Sequence, residues 1–243
     1  MIPWLSAGTP FPPVNAALKR PNGLLAASSP ADLTAQRLVQ AYRAGIFPWY
    51  SEGEPALWWS PDPRMVLFVG EFHISRSMRK LLRAAAASAE LDLHADRAFE
   101  SVMRACAAPR PGQDGTWISE PLIAGYCALA RDGLAHSIEL RRGERLVGGL
   151  YGVCLGRIFF GESMFAWQPN ASKIALATLV ALLRREGVAM IDCQQSTAHL
   201  ASLGAREIRR TQFLQRVTET VQMAPIDWSI YRGIRLNSLL SDH

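Results

Sequence analysis

Three polar side chains stand where the chain reads as the carboxyl ends of strands and are the candidates for chemistry: Glu162, Asp192 and Gln194. Val188-Ala189-Met190-Ile191-Asp192-Cys193-Gln194 reads as a strand, along which successive side chains alternate faces. Asp192 and Gln194 therefore point the same way, about 6.6 Å apart, with Ile191 and Cys193 on the opposite face. Glu162 stands in Gly161-Glu162-Ser163, read here as the end of an earlier strand. Carboxyl ends of strands are where ligands collect in open sheets. Two carboxylates and an amide at such ends are candidates for holding a ligand. The plainer alternative is that Asp192 and Gln194 only cap a strand and feed hydrogen bonds to a loop. Periodicity leaves both open.

Other chemistries find less support. Gly143 to Gly152 is glycine-rich but lacks the G-x-G-x-x-G spacing before a helix and the P-loop Lys-Ser/Thr. There is no G-x-S-x-G elbow, and no histidine is placed by sequence to activate Ser163. His199 follows the Asp192 strand in a loop and reads as a structural, hydrogen-bonded histidine, as do His73 and His136. Cys106, Cys127, Cys154 and Cys193 form no C-x-x-C and no zinc spacing, so neither a disulfide framework nor a metal is expected.

The elements that must position the three side chains follow from periodicity. Leu176, Leu179, Val180 and Leu183 repeat as i, i+3, i+4, i+7 and predict a helix of about sixteen residues, roughly 24 Å long, from an Asn170 cap to Gly187. With its flanking strands it makes a right-handed βαβ unit. Before it, 135–140, 146–153 and 157–161 read as three short antiparallel strands joined at Arg141-Arg142-Gly143-Glu144 and Leu155-Gly156. Earlier helices are expected from Thr34, Ser75, Asp96 and Ser119, and a later one from Thr211. The helix from Ser75 carries Arg76, Arg79, Lys80 and Arg83 with no acidic residue between Arg76 and Ala89. Phosphate contact and a solvated charged face both fit that run. Ala107 to Gly115 reads as a polar loop bordered by Arg104 and Arg110, and residues 1 to about 31 as a surface wrap with one or two short strands. Prolines on both sides of Asp62 exclude helix there and set a boundary. The fold class expected is α/β (α+β-like mixed sheet): a small N-terminal α/β domain, 1–62, and a larger acyltransferase-like (GNAT-like) domain, 63–243, with an antiparallel meander followed by the βαβ unit.

Composition bounds the rest. In 243 residues, 49% are hydrophobic and 19% charged, which suits a sizeable core and argues against global disorder. A net charge of +5 and seven Trp are compatible with an RNA partner. No apolar run reaches a membrane span, and the N-terminus lacks a signal-peptide pattern, so a cytoplasmic protein with reduced thiols is expected. The turn Trp167-Gln168-Pro169-Asn170-Ala171-Ser172 before the central helix has no glycine, unlike the turn with which coenzyme A-dependent acyltransferases wrap a pyrophosphate. An acyl donor other than coenzyme A follows.

The chain resembles the leucyl/phenylalanyl-tRNA–protein transferases. The match is carried by Pro21-Asn22-Gly23-Leu24-Leu25, Ala41-Tyr42 with Gly45-Ile46-Phe47-Pro48-Trp49, Trp58-Trp59-Ser60-Pro61-Asp62-Pro63-Arg64 and His73-Ile74-Ser75-Arg76. It continues through Gly115-Thr116-Trp117-Ile118, Gly161-Glu162-Ser163-Met164-Phe165, Ile191-Asp192-Cys193-Gln194 and Leu200-Ala201-Ser202-Leu203-Gly204. The resemblance implies transfer of Leu or Phe, with Met a further donor, from aminoacyl-tRNA to the α-amine of proteins beginning with Arg or Lys, marking them for N-degron degradation. It implies no cofactor and no metal, since the ester is already activated, and a monomer acting away from membranes. By position it assigns Asp192 and Gln194 to catalysis, Glu162 to the substrate site, and Trp49 and Trp117 to stacking around the terminal adenosine. It assigns Leu150, Phe159, Leu176, Leu179 and Ile191 to the donor side-chain pocket, and Arg76, Arg79, Lys80 and Arg83 to the tRNA body. For the pocket residues, plain core packing is the competing account.

The chain departs from the family at Pro30-Ala31-Asp32-Leu33, where Gly-Gly-Asp-Leu is usual, at Trp167, where an Arg is common, and at Arg209-Arg210. Leu150 and Leu179 stand where some members have bulkier residues, which suggests a roomier pocket. Two other classes remain: an acyl-coenzyme A-dependent N-acetyltransferase, and a tRNA-binding protein without catalysis.

Overall fold

The computed structural model describes residues 1–109 and 116–242. Arg110 and Gly115, read above as part of a loop and of a motif, lie outside the described residues. Near the N-terminus, β1 (Trp4–Leu5), β2 (Leu24–Ser28), α1 (Ala35–Arg43), β3 (Phe47–Pro48) and β4 (Ala56–Trp59) form a small unit with sheet order β1-β2-β4-β3. Thr34 caps α1 by accepting from the Arg37 amide at 3.2 Å. At the departure Pro30-Ala31, the chain makes one 3₁₀ turn, and Asp32 pairs with Arg37 at 3.1 Å.

The larger sheet has seven strands in the order β11-β5-β10-β9-β8-β7-β6. Its first elements are β5 (Arg64–Phe68), α2 (Arg76–Ala87), β6 (Leu91–Ala95), α3 (Phe99–Ala107) and α4 (Glu120–Arg131). The meander follows as β7 (Ala135–Arg142), β8 (Arg145–Leu155) and β9 (Ile158–Ala166). Then come α5 (Ala171–Arg185), β10 (Met190–Gln194), α6 (Ala198–Ser202), β11 (Arg206–Ile208) and α7 (Arg210–Thr220). Gly143 and Gly156 turn the two hairpins with φ of +54° and +56°, the left-handed region that disfavours other residues. β10 pairs parallel to β9, so the meander is followed by βαβ, as expected. Strand alternation sends Leu150 and Met65 to one apolar core with α2 and α5, and Tyr151 and Val66 to a second with α1, α3, α4 and α7.

α5 is buried nearly all round, where its periodicity gave a single stripe. The cause is the C-terminal tail, unreadable in sequence: Trp228, Tyr231, Leu236 and Leu239 join the same core. Asn237 pins the tail by accepting from the Leu93 amide at 3.0 Å and donating to the Leu91 carbonyl at 2.7 Å. Three caps differ from expectation. Ser119 stands at the N-terminus of α4, but its hydroxyl pairs with that of Tyr50 and caps no amide. Asn170 is left-handed, φ +66°, and its side chain caps nothing. Asp96 does not cap α3; its oxygens accept from the Ser137 amide and meet His136 Nδ1 at 2.7 Å. His136 also stacks on Trp228 with centroids 4.0 Å apart, a structural role as read.

Candidate active site between two parting strands

β9 does not end at Glu162. It runs to Ala166, and Glu162 is the extra residue of a β-bulge: Tyr151 pairs with Ser163 and Gly152 with Gly161, leaving Glu162 unopposed. Gly152 has to be glycine, since a Cβ there would stand 2.2 Å from the Phe160 carbonyl oxygen. On its other side, β9 pairs with β10 only at Phe159 and Phe160. Beyond that point the strands part. β10 has its own bulge at Cys193 against β5, and Gln194 is held at φ +56°. The two irregularities open a cavity of about 290 Å³.

Leu150, Phe159, Leu176, Leu179 and Ile191 line the cavity, together with Met164 and Leu200. Its polar wall is Glu162 and Gln194, joined by a bond from Gln194 Nε2 to Glu162 Oε1 at 3.0 Å. Glu162 also accepts from Tyr42 of α1 at 2.6 Å and from Tyr126 of α4 at 2.9 Å, and the two phenol oxygens are themselves hydrogen-bonded. Burial pushes the Glu162 carboxyl up to about 7, with the charge of Asp192 adding, while the hydroxyls of Tyr42 and Tyr126 and the charge of Arg64 oppose the rise. Burial first, then Glu162, drive both phenols well above their usual range, so they stay protonated at neutral pH.

Asp192 lies beneath this wall and does not line the cavity. It is 0% exposed, as is Arg64, whose Nε and Nη2 donate to it at 2.8 and 2.7 Å. The guanidinium lies between the rings of Phe47 and Phe213, 4.7 and 4.5 Å from their centroids. Asp192 Oδ1 also accepts from the Gln194 amide at 3.0 Å, which fixes the turn that presents Gln194. The bulge at Cys193 breaks the alternation expected between Asp192 and Gln194: Ile191, Cys193 and Gln194 line the cavity and Asp192 does not, so the two are joined through the Gln194 backbone amide.

Cys193 also lines the cavity, but burial, reinforced by Asp192, pushes its thiol up to about 12, too high for a thiolate nucleophile at neutral pH. His199, expected to be tied into the structure, is instead exposed at the cavity rim on α6. Among the described residues, no group of three or more His, Cys, Asp or Glu could hold a metal ion.

The comparisons with known proteins bear on what such a site does. The family model described as leucyl/phenylalanyl-tRNA protein transferase matches residues 66–218, and the model of that family's N-terminal domain matches residues 31–62. A leucyl/phenylalanyl-tRNA–protein transferase of Burkholderia lata is 56% identical over 96% of this chain and 93% of its own length. One of Bordetella bronchiseptica is 55% identical over 98% and 93%. The chain belongs to the leucyl/phenylalanyl-tRNA–protein transferase family. It is an aminoacyltransferase. Similarity to solved structures is lower: the structure of L-PGS from Bacillus licheniformis matches at 13% identity and TM-score 0.37, over 68% of this chain and 54% of that one, too low to carry an argument.

Of the positions that the transferase resemblance singled out, seven stand on the cavity wall: Glu162, Gln194, Leu150, Phe159, Leu176, Leu179 and Ile191. Trp49 and Trp117 do not. Trp49 is 40% exposed with its ring edge-on to Trp59 at 5.5 Å, and Trp117 is half-buried against the second core. Trp167, the departure near the substrate region, is exposed and packs on Phe165 instead of lining the cavity. Arg76, Arg79, Lys80 and Arg83 are all exposed and make no ion pair with a described residue. At 100° per residue they fall within an arc of about 100° on α2, a single cationic face. Sequence reading missed the roles of Arg64, Tyr42 and Tyr126. Arg64 and Tyr42 stand in family motifs, and that was their only signal.

Proposed function

We propose that this transferase moves leucine or phenylalanine from aminoacyl-tRNA to the α-amine of proteins that begin with Arg or Lys, marking them for degradation. The observation that carries the reading is an apolar cavity whose polar wall is a hydrogen-bonded carboxylate and amide. Leu150, Phe159, Leu176, Leu179 and Ile191 hold the donor side chain. A volume of about 290 Å³ takes phenylalanine as well as leucine and leaves room for methionine.

With Nε2 committed to Glu162, the Gln194 carbonyl is left to accept from the attacking amine and aim it at the ester. Asp192, with both oxygens engaged, acts by holding Gln194 in its turn. Among the described residues, Glu162 is the one carboxylate on the cavity wall, and it attracts the doubly cationic end of an Arg or Lys N-terminus. Trp49 and Trp117 stack on the terminal adenosine, and the α2 face lies along the tRNA body. The cavity is complete within one chain, which suits a monomer. Charged tRNA places the reaction in the cytoplasm; no described helix is long and apolar enough to cross a membrane. The division into a small N-terminal part, 1–62, and a catalytic part, 63–243, belongs to this reading.

The test is transfer of labelled leucine and phenylalanine from their tRNAs to a peptide beginning with Arg and to the same peptide beginning with Ala. Label accumulates on the Arg peptide, with at least tenfold less on the Ala peptide, and phenylalanine serves about as well as leucine. Equal labelling of both peptides would remove Arg/Lys recognition from the account.

A further inference from the structure

Glu162, Tyr42 and Tyr126 close a ring of three hydrogen-bonded contacts: Tyr42 to Glu162 Oε1 at 2.6 Å, Tyr126 to Glu162 Oε2 at 2.9 Å, and Tyr42 to Tyr126. Each contact needs one proton. Two phenols facing a carboxylate supply two; both then point at Glu162, and the phenol–phenol contact has none. With a third proton on Oε2 the ring closes in one direction. Glu162 donates to Tyr126, Tyr126 to Tyr42, and Tyr42 to Oε1, with Gln194 Nε2 still bound at Oε1. The ring therefore takes up a proton by turning hydroxyl hydrogens, without moving a heavy atom.

We propose that Glu162 is the group that takes the proton from the incoming α-ammonium, with Tyr42 and Tyr126 positioning it and completing the ring once it is protonated. This rests on the transfer reading above and assigns its proton path. The α-ammonium reaches the wall at Glu162 and Gln194. One proton passes to the Glu162 carboxylate, leaving a neutral amine held by the Gln194 carbonyl. Its nitrogen forms the bond to the ester carbon. The second proton passes from that nitrogen to the ribose oxygen as the carbon–oxygen bond breaks, and the Glu162 proton leaves to water with the product. The sum is ammonium plus ester giving amide, free tRNA and one proton.

The surroundings set the poise. Tyr42 reaches Glu162 from α1, Tyr126 from α4, Gln194 from β10, and the charges of Asp192 and Arg64 act from beneath, on β10 and β5. Tyr151 of β8 stands beside Tyr126 at 5.7 Å, and His199 of α6 is at the rim. A carboxyl titrating at about 7 lies close to a peptide α-amine near 7.7–8.0, so the transfer is nearly balanced and reversible. Asp192 has no access to the amine, since it is 0% exposed and does not line the cavity.

The experiment is the pH profile, from 6 to 8.5, of kcat/KM for leucine transfer to the Arg peptide, with spontaneous ester hydrolysis subtracted. It compares the unaltered chain, Glu162→Gln and Tyr126→Phe. The base works only when ionised, so the unaltered enzyme loses about tenfold per pH unit below about 7. Glu162→Gln falls roughly 10²-fold at pH 7, and its remaining activity climbs with pH along the peptide's own amine titration, narrowing the gap. Tyr126→Phe, a milder change to the fold, removes a donor to the ionised carboxylate and moves the acid limb to higher pH. A Glu162→Gln profile parallel to the unaltered one, or an unmoved limb in Tyr126→Phe, overturns the proposal and leaves the transfer reading standing. No transfer by the unaltered chain at any pH overturns both.

Discussion

Replacing Arg64 with methionine lowers the stability of the fold by about 3–5 kcal/mol, the usual cost of stranding one partner of a buried ion pair. Asp192 is 0% exposed, and two of the hydrogen bonds to its oxygens come from Arg64, so the substitution leaves a carboxylate without water and without its cation. For a chain of this size the midpoint of thermal unfolding falls by roughly 6–20 °C. Asp192→Ala does comparable damage from the other side, stranding a guanidinium between Phe47 and Phe213. The pair Arg64→Met with Asp192→Leu recovers most of the loss, because removing both charges removes both desolvation penalties. Transfer does not recover with it. Without Asp192, nothing accepts the Gln194 amide, and a non-glycine residue at φ +56° loses the contact that offsets its strain. Calorimetry and a transfer assay on the single and double variants check both halves. A single variant melting within 2 °C of the unaltered chain would show that the pair contributes little to the fold.

Replacing Arg76, Arg79, Lys80 and Arg83 together with alanine weakens tRNA binding on the order of 10²–10³-fold at moderate salt, through loss of about four phosphate contacts. The slope of log affinity against log salt becomes shallower by about 3–4. The four side chains are exposed, and alanine is the strongest helix former, so α2 itself persists. The maximal transfer rate at saturating tRNA stays within a few-fold, since none of the four lines the cavity. Filter binding across a salt series, beside kcat and KM, measures this. An unchanged salt slope would make the α2 face a solvated surface, the plainer of the two readings its charge pattern allows.

The course of the main sheet was legible because its turns are written in residues with one job. Gly143, Gly156 and Gly187 each take a positive φ where a hairpin or a helix must end, and the 3.6-residue repeat between Leu176 and Leu183 marks the central helix. Register was harder. A bulge leaves no trace in alternation, so Glu162 read as a strand end when it is the mid-strand residue that parts β9 from β10. Tyr42 and Tyr126 sit on apolar stripes of two helices 84 residues apart, and periodicity reads such residues as core. Their hydroxyls matter only because the fold brings both to one carboxylate. Arg64 follows a proline and reads as the end of a stiff Pro-rich stretch, and nothing local marks it as the partner of a residue 128 positions away. His199 reads as structural from its type, but a five-residue helix turns it out to the cavity rim.

On the proposed function, chemistry takes place at the Glu162–Gln194 wall, apart from tRNA binding on α2. The most direct measurement is single-turnover leucine transfer to the Arg peptide by Gln194→Ala, with leucyl-tRNA affinity determined on the same preparation. Gln194 is 9% exposed and gives the cavity its orienting carbonyl, so the transfer rate falls about 10²–10³-fold while affinity for the tRNA changes less than about threefold. Transfer at the full rate would mean that the amine is oriented elsewhere. Loss of rate and affinity together would mean that the wall binds tRNA rather than directing the reaction.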